Sequence, residues 1–229
     1  MFQTLLGGLV GALLGMRHAL EPDHLAAVST LVAEQRSIKK GMMLGMMWGL
    51  GHSAALLAVG IALAVMRTSL PDRLAEVFEF GVAIMLVVLG VRAIRRANRE
   101  GRVGPVTPHR HGHATHVHAG PARHVHLGRW TLAIRPLLVG LVHGLAGSGS
   151  LTAFVVAGLP SHASRILYIA LFGLGSVLGM ATLTGVASAS LRHFGGRPGL
   201  MRAVGLGAGA VSAALGVVWG YPLLAGWIR

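Results

Sequence analysis

The sequence predicts an all-α membrane protein of six transmembrane helices, arranged as two inverted three-helix repeats. Three observations predict it. Of 229 residues, 53% are hydrophobic and only 12% charged, against roughly 25% charged in soluble domains. Mean hydropathy is +0.66, and the apolar residues gather into six long runs. A short histidine-bearing pattern also recurs at a constant offset between the two halves.

The six runs extend over Thr4–Val32, Gly41–Met66, Val77–Val91, Thr131–Leu159, Ile166–Leu191 and Val204–Ile228. A spanning helix needs about 20 apolar residues. The third run is short, and the first is long with polar residues inside it. The start, Met-Phe-Gln-Thr, lacks the basic stretch of a cleaved leader, so the first run is expected to be retained. Glycine is frequent, at 34 residues, and aromatics are scarce at 5%. Small residues let membrane helices approach closely.

The formal charge of +13 does not point to nucleic acid, because the basic residues lie between apolar runs. With six spans, one side collects Arg67, Arg73, Arg165 and Arg229. The other collects Arg36, Lys39, Lys40, the cluster from Arg92 to Arg135, Arg192, Arg197 and Arg202. The more basic side is expected to be cytoplasmic. This predicts a bacterial inner-membrane protein with external termini.

Gly15-Met-Arg-His18-Ala-Leu20 recurs as Gly140-Leu-Val-His143-Gly-Leu145. Gly49-Leu50-Gly51-His52 recurs as Gly173-Leu174-Gly175-Ser176. The offsets are 125 and 124 residues. An odd number of spans per half inverts the second half, a common transporter design with its site near the midplane. The chain divides into a first repeat (residues 1–94), a His-rich loop (95–130) and a second repeat (131–229).

Ionisable groups within spans are costly and face pathways or cavities. The first run holds Arg17, His18, Glu21, Asp23 and His24 within eight residues. On an ideal helix His18 and His24 stand about 120° apart and do not converge. Pro22 lacks the N–H that would bond the His18 carbonyl, so a kink or unwound turn is expected there. Such a break can gather His18, Asp23 and His24 around one ion. Imidazoles with a carboxylate suit nickel, cobalt, zinc or ferrous iron. A buried polar network that only packs helices is the competing reading. With no cysteine in the chain, thiolate ligands are excluded.

His52 follows Gly49 and Gly51 and is a candidate ligand, with Ser53 beside it. His143 lies in a Gly/Ser-rich stretch and is either a ligand from the second half or a hydrogen-bonded core histidine. Arg17 and Glu21 are candidate supporting or gating groups. Between the third and fourth runs lie His109, His111, His113, His116, His118, His124 and His126. Such tracts are compositional metal-binding signals. This loop either buffers arriving metal, collects metal for export, or is a flexible basic linker. Gly101, Gly104, Pro105, Pro108 and Pro121 fit disorder.

His18-x4-Asp23-His24 resembles the signature of the nickel/cobalt transporter (NicO) superfamily. Leu50-Gly51-His52-Ser53 resembles that family's second motif. The run from Leu141 to Ser150 resembles its short, urease-accessory-like branch. The resemblance implies transport of Ni(II) or Co(II) as substrate, with the first motif as the selectivity site and no resident cofactor. The chain departs from the longer members in reading Glu21-Pro22 where they often read Asp-Ala, and in lacking their acidic second-half motifs. Its partners are then the metal ion and the lipid bilayer, with a homo-oligomer or a metal-accessory protein as further candidates. A delivery protein without transport activity, and an exporter, are the alternatives. No His-Glu-x-x-His motif or evident nucleophile supports an enzyme, and no Gly-x4-Gly-Lys-Ser/Thr supports intrinsic ATP use.

Overall fold

The computed structural model describes residues 2–32, 37–66, 70–100, 109–111, 114–116, 124–127, 130–146, 161–194 and 198–228. Among these, seven helices form: α1 (Phe2–His18), α2 (Pro22–Val32), α3 (Ile38–Met66), α4 (Asp72–Glu100), α5 (Ile134–Leu145), α6 (His162–Phe194) and α7 (Pro198–Ile228). Four are long and apolar enough to cross a membrane, through Ile38–Leu63, Asp72–Arg99, Ser164–His193 and Gly199–Ile228.

The first expected span is divided where Pro22 predicts it. α1 closes with Leu20 N–H donating to the Arg17 carbonyl (2.9 Å) and Glu21 N–H to the His18 carbonyl (3.0 Å). α2 opens with Leu25 N–H donating to the Glu21 carbonyl (2.9 Å). Pro22 is its first helical residue, where a missing N–H costs nothing. The expected third span, Val77–Val91, is only the middle of α4. Polar residues at both ends of α4 continue the helix without adding to its hydropathy. The fourth run is helical over α5, and residues 147–160 lie outside the described part.

Part of the loop is described. Three short strands form there, β1 (His109–His111), β2 (Ala114–His116) and β3 (His124–Leu127), and a fourth, β4 (Trp130–Ala133), runs from its end into the start of the expected fourth span, Thr131–Leu159, which is extended rather than helical over its first residues. β1 pairs antiparallel with β2, setting His109 opposite His116, and β3 pairs antiparallel with β4, setting His126 opposite Thr131. Thr115, Val125, Trp130 and Thr131 have the branched or aromatic side chains that favour strands, which the glycine and proline count obscured.

Large apolar side chains are exposed along the helices, while a group of polar side chains is buried between them. Leu9, Leu13, Ile61, Ile84, Leu138, Leu174, Val186 and Val217 are exposed, while His18, Asp23, His24, His52, His143, Ser176, Thr184, Ser188 and Ser212 are buried. An apolar exterior around buried polar groups matches a bundle whose solvent is lipid. A core of Ala26, Ala27, Val28, Val32, Trp48, Val82, Leu86 and Met180 joins α2, α3, α4 and α6.

Helix pairing is reciprocal between the halves: α1 packs on α6 and α5 on α3, while α3 meets α6 and α4 meets α7. Glycines at matching positions make these contacts. A Cβ on Gly15 would meet the Phe172 carbonyl and the Ser176 backbone nitrogen, the latter at 2.9 Å. A Cβ on Gly140 would meet the Trp48 carbonyl and the His52 backbone nitrogen, again at 2.9 Å for the nitrogen. Trp48 and Phe172, like His52 and Ser176, are 124 residues apart. Gly51 against Leu137 and Gly175 against Ala12 repeat the pattern.

Candidate metal site

The break after α1 places His18 at a helix C-terminus and Asp23 in the first turn of the next helix. The Gly140 contact brings the last turn of α5, with His143, against α3 beside His52. The structure thereby gathers His18, Asp23, His24, His52 and His143 in one buried centre. All five are 8% exposed or less. Ring centroids are 4.4 Å apart for His18 and His24, 4.1 Å for His24 and His143, and 5.0 Å for His18 and His52.

Two carboxylates orient the imidazoles. Asp23 accepts from His143 Nε2 at 2.7 Å on Oδ2 and from His24 Nδ1 at 3.1 Å on Oδ1. Glu21 Oε1 accepts from His18 Nδ1 at 2.9 Å. Carboxylates accept only, so these contacts put the protons of His143 on Nε2 and of His24 and His18 on Nδ1. The opposite nitrogens then carry lone pairs. His18 Nε2 lies 3.2 Å from His52 Nε2, which donates to it and leaves Nδ1 of His52 with a lone pair.

The consequence is visible in the hydrogen bonding. His24 Nε2, His52 Nδ1 and His143 Nδ1 are buried without a partner. An unsatisfied buried polar atom costs about 1–3 kcal/mol, so three around one centre call for a ligand that accepts lone pairs. The C-terminal ends of α1 and α5 converge here as well. Their partial negative charge favours a cation. Two sets of donors have the spacing for a metal, His18/His24/His52 and Asp23/His24/His143, each with ligand atoms within 4.8 Å of one another.

Trp48 was not singled out by sequence reasoning. It is fully buried, and its indole stacks on His24 at 5.3 Å between centroids and 21° between planes. The available signal was its position four residues before His52, on the same helical face. Two expected supporting residues stand outside the centre. Arg17 is exposed, and Ser53 Oγ donates to the Gly173 carbonyl at 2.9 Å, tying α3 to α6. Of the loop histidines, His109, His111, His116, His124 and His126 lie on the strands. His113 and His118 lie outside the described residues.

Comparison with known proteins agrees with this chemistry. A family model described as "NicO: High-affinity nickel-transport protein" matches residues 6–187. "Urease accessory protein UreH" of Bacillus sp. (strain TB-90) is 32% identical, over 76% of this chain and 73% of that protein. "High-affinity nickel transport protein" of Cupriavidus necator is 34% identical over 38% of this chain and 30% of its own length. "Chloroplast protein FOR GROWTH AND FERTILITY 2" of Arabidopsis thaliana is 24% identical over 80% of this chain and 47% of its own length. The chain thus spans less than half the length of the latter two relatives. No solved structure matches it. The match over most of its length, and the likeness to UreH across most of both chains, show that the chain belongs to the NicO family, in its short UreH-like branch.

Proposed function

We propose that this protein is a membrane permease for Ni(II), with Co(II) as a second substrate, and that His18, Asp23, His24, His52 and His143 bind the ion in transit. The observation that carries this reading is the set of unpartnered imidazole nitrogens in a buried centre. Imidazole with one carboxylate suits late first-row dications and discriminates against magnesium and calcium, which favour oxygen ligands. Asp23 offsets part of the charge of a dehydrated dication in a low-dielectric setting, while Glu21 and Asp23 hold the rings in ligating tautomers.

The reading includes six spans in two inverted repeats, residues 1–94 and 131–229, joined by a cytoplasmic His-rich loop, residues 95–130. The reciprocal glycine contacts support the repeat. The bacterial inner membrane is its proposed place, with external termini. Transport is then driven by an ion gradient or the membrane potential, and the loop buffers metal on the cytoplasmic side.

The printed name of the UreH relative favours a second reading, delivery of nickel to an enzyme-maturation system without transport. Proteoliposomes containing only this chain separate the two. The permease accumulates radioactive Ni(II) above empty liposomes. Metal binding without accumulation supports delivery instead.

A further inference from the structure

Resting on the permease reading, we propose that the centre is two metal positions sharing His24, between which a divalent cation is handed. The donors fall into two sets of three rather than one cage, and His24 is their common member. Its ring lies between those of His18 and His143, at 4.4 and 4.1 Å. The two nitrogens of His24 differ in setting, Nδ1 beside Asp23 and Nε2 without a partner; the neutral ring ligates through one of them at a time, and Nδ1 becomes the ligand when its proton passes to Nε2.

The two positions differ in chemistry and in setting. His18, His24 and His52 form a set of neutral imidazoles. This set adjoins the surface through His18 Nδ1 and Glu21, whose side chain is 48% exposed. Asp23, His24 and His143 include a carboxylate and join α2 to α5. A dication at the first set keeps its full charge, and at the second one unit of that charge is neutralised. In a low-dielectric interior this difference draws the ion from the first set to the second. Because His24 serves both, the move exchanges its ligating nitrogen, the proton of Nδ1 passing to Nε2 as the ion leaves Nε2, and the ion stays beside the same ring.

The test is a Co(II) titration of the purified chain in detergent, reading bound metal and the visible ligand-field spectrum. His52→Gln and His18→Gln each disable the imidazole set and leave the carboxylate set. His143→Gln and Asp23→Asn each do the reverse. Both groups are expected to retain one Co(II) at the surviving set, and the two groups give different spectra. His24→Gln loses both species. Two variants per set keep the comparison decisive if one fails to fold. Equal loss of Co(II) in all five variants, or one spectrum from both groups, overturns the paired positions. Absent nickel uptake by wild-type proteoliposomes overturns the permease reading and with it the handover, while the spectra still decide whether two positions exist.

Discussion

His143 and Asp23, 120 residues apart, meet in the buried centre with Nε2 2.7 Å from Oδ2. The contact joins α5 to α2, so the centre is complete only when the two halves are assembled. Asp23 also holds His24 through its other oxygen. One carboxylate thus sets two rings.

Asp23→Asn is therefore the most informative single change. It keeps the size of the side chain but removes the charge and one acceptor. Ni(II) uptake is expected to fall by about 10–100-fold or more, as with His18→Ala and His24→Ala, while the protein remains folded in the membrane. Wild-type uptake rate and apparent affinity in all three variants would return the first motif to a purely structural network.

Trp48 should act through His24. Trp48→Ala opens a cavity beside a fully buried ring, with an expected cost of about 3–5 kcal/mol. Trp48→Phe keeps an aromatic face and should be milder in both thermal stability and nickel uptake. Equal behaviour of the two variants would show that the stack on His24 has no part in transport.

Gly140→Ala tests the contact that seats His143. The added Cβ meets the Trp48 carbonyl, the buried Trp48 ring and the His52 backbone nitrogen, none of which is the free end of a flexible side chain. Overpacking of this kind costs about 1–3 kcal/mol, and the shift of α5 should weaken uptake. Gly207→Ala, where a Cβ meets nothing within 4 Å, is the control and should leave both measurements unchanged. A lowered melting temperature in the Gly207 variant and none in the Gly140 variant would contradict the packing argument.

Replacing all seven loop histidines with alanine is expected to change metal accumulation or tolerance modestly. The loop lies away from the buried centre in sequence and carries no span-length apolar run. Complete loss of Ni(II) transport in a stably expressed variant would move the essential site into the loop.

Compartment reporters at Gly112 and at the C-terminus test the orientation. The basic excess between spans predicts the loop on the cytoplasmic side and the terminus outside. Reporter activity showing the loop outside reverses the assignment.

Composition and local pattern were enough to read a helical membrane protein and the break at Pro22, and to single out His18, Asp23, His24, His52 and His143 as candidate ligands, which the structure gathers in one buried centre. These are local properties: hydropathy follows run by run, and a proline disrupts its own turn. Hydropathy alone placed the ends of α4 poorly, because a helix continues through polar residues once its turns are hydrogen-bonded. Tertiary structure decided the rest. Whether His143 is a core histidine or a partner of Asp23 depends on the rotation and spacing of α5 against α3, which Gly140 permits and no local pattern encodes. The stacking of Trp48, the proton positions set by Glu21 and Asp23, and the division of donors into two sets likewise arise only between helices. Side chains from separate segments share a centre only after backbone packing has fixed the distance between their helices to within an ångström or so.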